Sequence, residues 1–300
     1  MRISVLQIPF GMTNLNVPQE LIDLLVDNIH DDRRSLIKAS LICRSWALAT
    51  RPHLFRRAAF HIGFRPILHR YDRNDLDVLP SFYRFRLLDE IIQDRPSIAY
   101  SIHDVMISSD TNHQALLWNQ SEPSITQILS RLHRVKSLTL RDIEWKCLSM
   151  QCRQSLVSIF SSPSLEHVDL HAFNVELSIA FTLLGSAKNL KSVRVAHTPT
   201  VVSYDNCYFE QPTERIALRS LELGAQVEQL ALHLLDPESP IVVSRLHHLR
   251  MTHVTDAAAC GQLLRAAGKS LEILELWAPT SGLSFPFVKL VIPYLITHRS

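Results

Sequence analysis

The sequence predicts an α/β protein in which a small helical module is followed by a long domain of alternating strands and helices. Between residues 16 and 57, apolar residues recur at the three- and four-residue spacing of helices. From Ile102 onward, the pattern apolar-x-x-apolar-x-apolar recurs seven times, with helix-like segments between the recurrences. Because strands that are joined by helices need crossover connections, this alternation predicts a parallel sheet.

The helical module is predicted to begin near Asn16, a residue type that can cap free backbone N–H groups. Pro18 suits the first turn of a helix, where its missing N–H is not needed. A charged turn at residues 30–34 separates this helix from a second one, whose apolar residues spread around more than one face. A module of about 40 residues is too small to bury all of this apolar surface in its own core. The surplus predicts a docking face for a partner.

Three short motifs in this module resemble an F-box, in the form common in basidiomycete fungi. They are Val17-Pro18-x-Glu20-Leu21-Ile22, Leu41-Ile42-Cys43-Arg44-x-Trp46 and Leu54-Phe55. Val17 replaces a more usual leucine and Ile42 a usual valine. The resemblance implies a helical unit that binds the Skp-type adaptor of cullin–RING ubiquitin ligases, whereas the alternative is a helical hairpin whose apolar residues are all core. The residues that the resemblance implies for adaptor binding are Val17, Pro18, Leu21, Ile22, Leu25, Leu41, Ile42 and Trp46.

Between the helical module and the repeats we predict a connector. It contains a strand-like piece, Phe60-His61-Ile62, and a helix over residues 81–93 with apolar side chains at helical spacing. The predicted division of the chain is a leader at 1–14, an F-box-like module at 15–57, the connector at 58–95 and the repeat domain at 96–300.

The repeating pattern begins at regular intervals along the rest of the chain. Subtracting successive start positions gives 33, 30, 25, 28, 28 and 25 residues. Leucine-rich repeats have periods of about 20–29 residues and open with the same L-x-x-L-x-L signature. The rival is a doubly wound α/β domain, but its glycine-rich turn after the first strand is absent. The patterns start at Ile102, Val135, Leu165, Leu190, Leu218, Leu246 and Leu271, and the predicted helices are Thr126–His133, Leu148–Phe160, Leu177–Ala187, Val227–Leu235 and Ala257–Ala267.

One position departs from the leucine-rich-repeat pattern. The asparagine or cysteine that normally follows the strand is absent, so an asparagine ladder cannot turn the chain. We therefore predict an irregular leucine-rich-repeat solenoid, with parallel strands on its concave face and helices on its convex face. The residues at the departing position are Ile143, Phe173, Thr198, Gln226, Val254 and Pro279.

Side chains at alternate strand positions are predicted to point away from the core and to line one continuous face. Arginine and histidine slightly outnumber acids there, so we expect a partner with an acidic or phosphorylated segment. Trp277 is the best single anchor candidate because aromatic residues dominate interface energetics, although it could equally be a capping core residue. The candidate target-binding residues are Arg141, His167, Asp169, His171, Arg194, Glu222, His248, Arg250, Glu275 and Trp277.

Composition narrows the possible partners and compartments. The chain is 46% apolar and 20% charged, as in globular proteins, and its formal charge of +2 is too balanced to indicate nucleic acid or an anionic membrane. No apolar stretch is long enough to span a bilayer. Five cysteines without a CxxC pair indicate a reduced, intracellular protein, which we expect in the cytoplasm, the nucleus or both.

Motifs for covalent chemistry are missing from the sequence. It contains no signature of a hydrolase, a phosphate-binding loop or a calcium loop. His167 and His171 share a strand face, and His247, His248 and His253 cluster later, but no cysteine at a supporting spacing indicates zinc. We therefore expect no enzyme activity, no cofactor and no metal.

The function that the resemblance implies is that of a substrate-receptor subunit in an SCF-type ubiquitin ligase. Its partners would be the Skp-type adaptor, through it a cullin, and an unknown target protein. The alternative is a leucine-rich-repeat scaffold outside any ligase, in which the amino-terminal helices only cap the repeats. A more distant third is a hydrolase or transferase on an α/β fold.

Overall fold

The computed structural model describes residues 17–62, 81–109, 114–196, 214–224, 227–252, 254, 257–277 and 287–291. The chain divides between Arg56 and Arg57 into two compact units. Each unit is described by itself below. Within the described residues, every helix is too short or too polar to span a bilayer.

The first unit consists of three described helices, α1 (Gln19–Asn28), α2 (Arg33–Ser40) and α3 (Arg44–Leu54). Ile22, Val26 and Leu36 form its core. Asp32 caps α2, because its carboxylate accepts hydrogen bonds from the backbone N–H groups of Arg34 and Ser35.

Two predictions for the first unit need correction. The segment that we predicted as one second helix forms two helices, α2 and α3. The helix is interrupted because the backbone of Cys43 is extended (φ −161°, ψ 177°), and α3 begins at the next residue. The predicted cap Asn16 lies outside the described residues, and α1 begins at Gln19, directly after Pro18.

The second unit contains a nine-stranded sheet within the described residues, and it confirms the α/β class. Its strands lie in the order β1-β2-β3-β4-β5-β7-β9-β10-β11, so neighbours in the sheet follow one another along the chain. All pairs are parallel except β10 and β11. The short strands β6 and β8 pair separately. The strands are β1 (Arg57–Ile62), β2 (Asp104–Ser109), β3 (Ser137–Arg141), β4 (His167–His171), β5 (Ser192–Ala196), β6 (Ile216–Ala217), β7 (Ser220–Leu223), β8 (Ile241–Val242), β9 (His248–Thr252), β10 (Ile273–Trp277) and β11 (Phe287–Val291).

Helices cover the face of the sheet that carries the buried side chains. On β3, for example, Leu138 and Leu140 are fully buried, whereas Thr139 between them faces the opposite side. Successive helices contact each other along the layer. These helices are α4 (Ser81–Asp94), α5 (Gln114–Ser130), α6 (Met150–Phe160), α7 (Leu177–Gly185), α8 (Val227–Leu235) and α9 (Ala257–Ala267).

The segment that we predicted as a connector belongs to the sheet unit. Ala58, Phe60 and Ile62 alternate as buried residues of β1, which pairs with β2. Phe60 also packs against Phe85 of α4, with ring centroids 5.4 Å apart. The period-two burial of β1 and the packing of α4 on it place residues 57–62 and 81–94 in the same core as the repeats.

Buried apolar side chains lie at the position after the strand where leucine-rich repeats normally carry asparagine or cysteine. Ile143 and Phe173 are buried just after β3 and β4, and the ring of Phe173 meets Trp145 edge-on at 6.0 Å. Asp142 and Ala172, each one residue earlier, have positive φ angles of 53° and 47°, which turn the backbone. Val254 is partly buried, and Thr198, Gln226 and Pro279 lie outside the described residues.

Candidate functional site

Exposed apolar side chains are concentrated on the first unit. Of the thirteen large apolar residues that are strongly exposed among the described residues, eight lie within residues 17–48. Leu41 is the most exposed of them, at 80%. We call these eight the exposed apolar set: Val17, Leu21, Leu24, Leu25, Ile37, Leu41, Ile42 and Leu48.

Short amphipathic helices explain why this set is exposed. On α1, Ile22 and Val26 lie one turn apart and point into the core, so Leu21, Leu24 and Leu25 lie on other sides of the helix. Leu41 and Ile42 lie in the break between α2 and α3, where none of the helices that the structure describes covers them. Clusters of exposed apolar residues on a small unit are typical of protein-interaction sites.

Six of the eight residues predicted for adaptor binding are accessible. Val17, Pro18, Leu21, Leu25, Leu41 and Ile42 are exposed. Ile22 is 3% exposed and packs in the core of the unit, so its predicted contact with an adaptor stays a prediction. Trp46 is half-buried and packs against the core of the same unit.

The prediction omitted Leu24, Ile37 and Leu48. Leu24 lies three residues after Leu21 and one before Leu25, a spacing that already marked it as their neighbour on the helix. Ile37 and Leu48 carried no such signal, since the side of α2 and of α3 that faces the core depends on how the three helices pack.

A groove between α1 and α3 borders part of this set. One wall carries the carboxylates of Asp23 and Asp27, and Nε2 of His53 lies 3.2 Å from Oδ1 of Asp27. The groove therefore combines an acidic rim with apolar contacts from α3. Its lining residues are Gln19, Asp23, Asp27, Leu48, Ala49, Pro52 and His53.

The second candidate surface is the polar face of the sheet. Strand register places Asp169, Arg194, Glu222, Arg250 and Glu275 side by side on β4, β5, β7, β9 and β10, with alternating charge. We call these five residues the charge row. Parallel register alone aligns them, because equivalent positions of successive strands stack across the sheet.

Within the charge row, carboxylates lie beside the arginines. Nε of Arg194 is 3.3 Å from Glu222, and Nε of Arg250 is 3.6 Å from both Glu222 and Glu275. The positive charge of Arg194 and Arg250 is therefore largely offset within the row. Arg141 has one carboxylate within ion-pair distance among the described residues, that of Asp169, at 3.8 Å.

The other predicted target-binding residues lie on the same face. His167 is exposed, His171 and His248 are partly buried, and Nδ1 of His248 is 3.3 Å from Oγ of Ser220. Trp277 is half-buried, with the guanidinium of Arg250 5.7 Å from the centre of its ring. This cation–π contact fixes the indole at the end of the charge row.

Thiol chemistry is disfavoured at the buried cysteine of α6, Cys152. Burial, with the nearby Glu122 carboxylate, raises the pKa of Cys152 to about 12. Burial and a hydrogen bond to Glu144 also raise the pKa of Cys147. Because the thiolate is the nucleophile, both shifts reduce reactivity near neutral pH. Among the described residues, no group of three or more His, Cys, Asp or Glu side chains could hold a metal ion.

No protein-family model matches the chain, and the comparisons with curated proteins and with solved structures also found no match. Family membership is therefore not shown by similarity. The likeness of residues 17–55 to an F-box remains a resemblance that their spacing carries.

Proposed function

We propose that this chain is the substrate-receptor subunit of an SCF-type ubiquitin ligase. Its first unit is an F-box that docks on a Skp-type adaptor, and its second unit is an irregular leucine-rich-repeat solenoid that holds the target protein. The chain contributes no covalent chemistry. It speeds ubiquitin transfer by holding the target close to the charged enzyme.

The observation that carries this proposal is the exposed apolar set. The first unit closes its core with Ile22, Val26 and Leu36 and leaves eight large apolar side chains strongly exposed. Full burial of one leucine or isoleucine side chain stabilises a complex by about 1.5–3 kcal/mol. Covering even part of this set on a partner is therefore a large driving force for docking.

The topology of the second unit supports the receptor half of the proposal. Among the described residues, the strands follow one another in chain order with helices on one face of the sheet, an arrangement in which the other face can bind a partner. Each strand adds a row of polar side chains to this face, so substitutions there can change the target without disturbing the core.

Co-expression of the full chain with a Skp-type adaptor, followed by size-exclusion chromatography, tests the proposal. Leu41→Asp and Leu25→Asp place a charge at 80% and 50% exposed positions, where the fold of the unit does not depend on the side chain. We expect each to weaken adaptor binding by about a hundredfold, since a buried, unpaired carboxylate costs several kcal/mol. Trp46→Ala is a poor probe because Trp46 packs on the core.

Leu232→Asp is the matched control. It introduces the same charge at a 61% exposed leucine of α8 in the second unit, and we expect full adaptor binding. A folded parent chain that does not bind the adaptor, or binding that Leu41→Asp leaves unchanged, contradicts the proposal. Either outcome favours a scaffold that acts outside a ligase.

A further inference from the structure

The edge at which the parallel strands begin is held in register by the backbone. The residue directly before each strand of the nine-stranded sheet, from β3 to β10, donates its N–H to the carbonyl oxygen of the equivalent residue one strand earlier, at 2.7–2.9 Å. These residues therefore form one line across the ends of the strands, which we call the entry row. Its members, starting before β2, are His103, Lys136, Glu166, Lys191, Arg219, His247 and Glu272.

The turns that lead into the entry row add further cations. Lys188, Arg245 and Lys269 are exposed just before β5, β9 and β10. The turns before β9 and β10 are joined, because Oγ of Ser270 donates a hydrogen bond to the carbonyl oxygen of Leu246 at 2.9 Å. The cations of these turns and of the entry row therefore lie on the same edge of the sheet.

Five exposed cations at this edge lack an acidic partner among the described residues. Lys136, Lys188, Arg219, Arg245 and Lys269 have no carboxylate within ion-pair distance in that part of the chain. We call these five residues the basic edge. The two arginines of the charge row differ, since carboxylates of neighbouring strands lie beside them. Cations that are collected on one edge without counter-charges attract an anion together.

The acids of the entry row are already paired with other cations. Nζ of Lys191 donates a hydrogen bond to Oε2 of Glu166 at 2.7 Å, which lowers the pKa of that carboxyl. Nδ1 of His247 lies 3.0 Å from Oε1 of Glu272. Both pairs join adjacent strands, so a carboxylate at this edge reaches a cation one strand away. Their charges are used within the row, and the basic edge stays uncompensated.

We propose that the basic edge binds an extended acidic segment of a partner protein, a contact that does not depend on the proposed ligase function. The six strands from β3 to β10 span about 24 Å, at about 4.8 Å per step. An extended chain presents side chains on one side about every 6.7 Å, so about four carboxylates lie along this distance. Arg219 and Arg245 suit paired hydrogen bonds to a carboxylate, whereas the lysines act as point charges.

The surroundings of the basic edge favour an acidic segment over RNA or a lipid surface. Sites for single-stranded nucleic acid add aromatic side chains on which bases stack, and peripheral membrane sites add apolar side chains that enter the bilayer. The six residues before each of β3, β4, β5, β7, β9 and β10 are described, and they include no phenylalanine, tyrosine or tryptophan and no strongly exposed large apolar side chain. An acidic segment needs only the cations that this edge supplies.

The test uses the full chain and a fluorescein-labelled peptide of about ten glutamates, with binding followed by fluorescence anisotropy. We expect saturable binding that is about tenfold weaker at about 0.5 M salt than at about 0.05 M, because salt screens exposed charges. The matching glutamine peptide should not bind. A uridine oligonucleotide of equal length and vesicles of phosphatidylserine and phosphatidylcholine are measured beside it. Absence of saturable glutamate binding, or tighter binding of the RNA or the vesicles, overturns the proposal.

Two double variants separate the basic edge from the general charge of the protein. Arg219→Gln with Arg245→Gln removes two arginines of the edge, and Arg141→Gln with Arg194→Gln removes two exposed arginines of the polar face. We expect the first to weaken glutamate binding by about tenfold or more and the second to leave it within about twofold. Equal losses overturn the site.

Lys136→Gln with Lys188→Gln repeats the test at the other end of the basic edge. We expect a loss of about fivefold or more, since both lysines are exposed and lack an acidic partner in the described part of the chain. Circular dichroism melts show that each variant is folded. Unchanged binding in both edge variants contradicts the proposal. Because the adaptor takes no part in this experiment, its result and that of the adaptor test can fail separately.

Discussion

Charged side chains on α4 form two pairs that differ in their surroundings. Asp89 is buried, and its carboxylate accepts hydrogen bonds from Arg131, the residue directly after α5, at 2.5 Å, and from Gln93, at 2.8 Å. Glu90, its neighbour in sequence, pairs with Arg86 at 3.0 Å, with both side chains more than half exposed. The first pair joins two helices, whereas the second joins two turns of one helix.

We expect Asp89→Asn to lower the free energy of unfolding by about 2 kcal/mol, because it removes a charged hydrogen bond at a buried position. The estimate is modest because Arg131 is 36% exposed and can be hydrated when its partner is lost. Glu90→Gln removes the same charge from the same helix, and we expect a loss below about 0.5 kcal/mol. Urea denaturation measures both. Equal losses would show that Asp89 does not join the helices energetically.

At the scale of the helix or strand, the sequence predicted the second unit closely, with a constant offset. Each of the seven strands begins two residues after the first apolar residue of its pattern. That first residue is buried in every case but precedes the strand, as Ile102 and Leu246 show. The spacing of apolar residues predicts which side chains are buried, whereas a strand also requires hydrogen bonds to a neighbouring strand. The apolar pattern therefore starts before the strand does.

Other elements left too weak a signal to be predicted in full. β1 offers only three alternating apolar residues, so its place in the sheet depends on its pairing with β2. β11 runs antiparallel to β10 and lies outside the repeat pattern. In the first unit, spacing identified α1 but could not tell the buried Ile22 from the exposed Leu21, since that distinction depends on where α2 and α3 pack.

Gly224, just after β7, allows close approach of its strand to β5. A Cβ atom there would lie 2.8 Å from the backbone Cα of Ala196, a distance that real structures avoid. We expect Gly224→Ala to lower the free energy of unfolding by about 1–3 kcal/mol, because the two strands must move apart.

Gly261→Ala on α9 is the control, since a Cβ atom there would meet nothing within 4 Å. Alanine favours a helix over glycine, so we expect this variant to be more stable by up to about 1 kcal/mol. Thermal unfolding of the two variants beside the parent chain measures both effects. A Gly224→Ala variant as stable as the parent would mean that β5 and β7 are less tightly spaced.

For the whole molecule, sequence and structure differ most over residues 58–95, which the sequence assigned to a connector. The sequence placed the start of the repeat domain at residue 96, after a connector, because the repeating pattern begins only at Ile102. The structure places the division after Arg56. Residues 57–62 and 81–94 contribute a parallel strand and a helix that packs against α5, so the second unit is incomplete without them.

Two truncated chains distinguish these boundaries. We expect residues 57–300 to fold alone and to unfold cooperatively, because this chain keeps β1, α4 and the packing of Phe60 on Phe85. Residues 96–300 lack that strand and helix, which leaves the edge of β2 unpaired and buried side chains such as Ile107 and Ile128 open to water. Unpaired edges and exposed cores promote aggregation, so we expect this shorter chain to aggregate or to melt at a much lower temperature. Circular dichroism melts and size-exclusion chromatography compare the two. If 96–300 were as stable and monomeric as 57–300, residues 57–95 would be a connector after all.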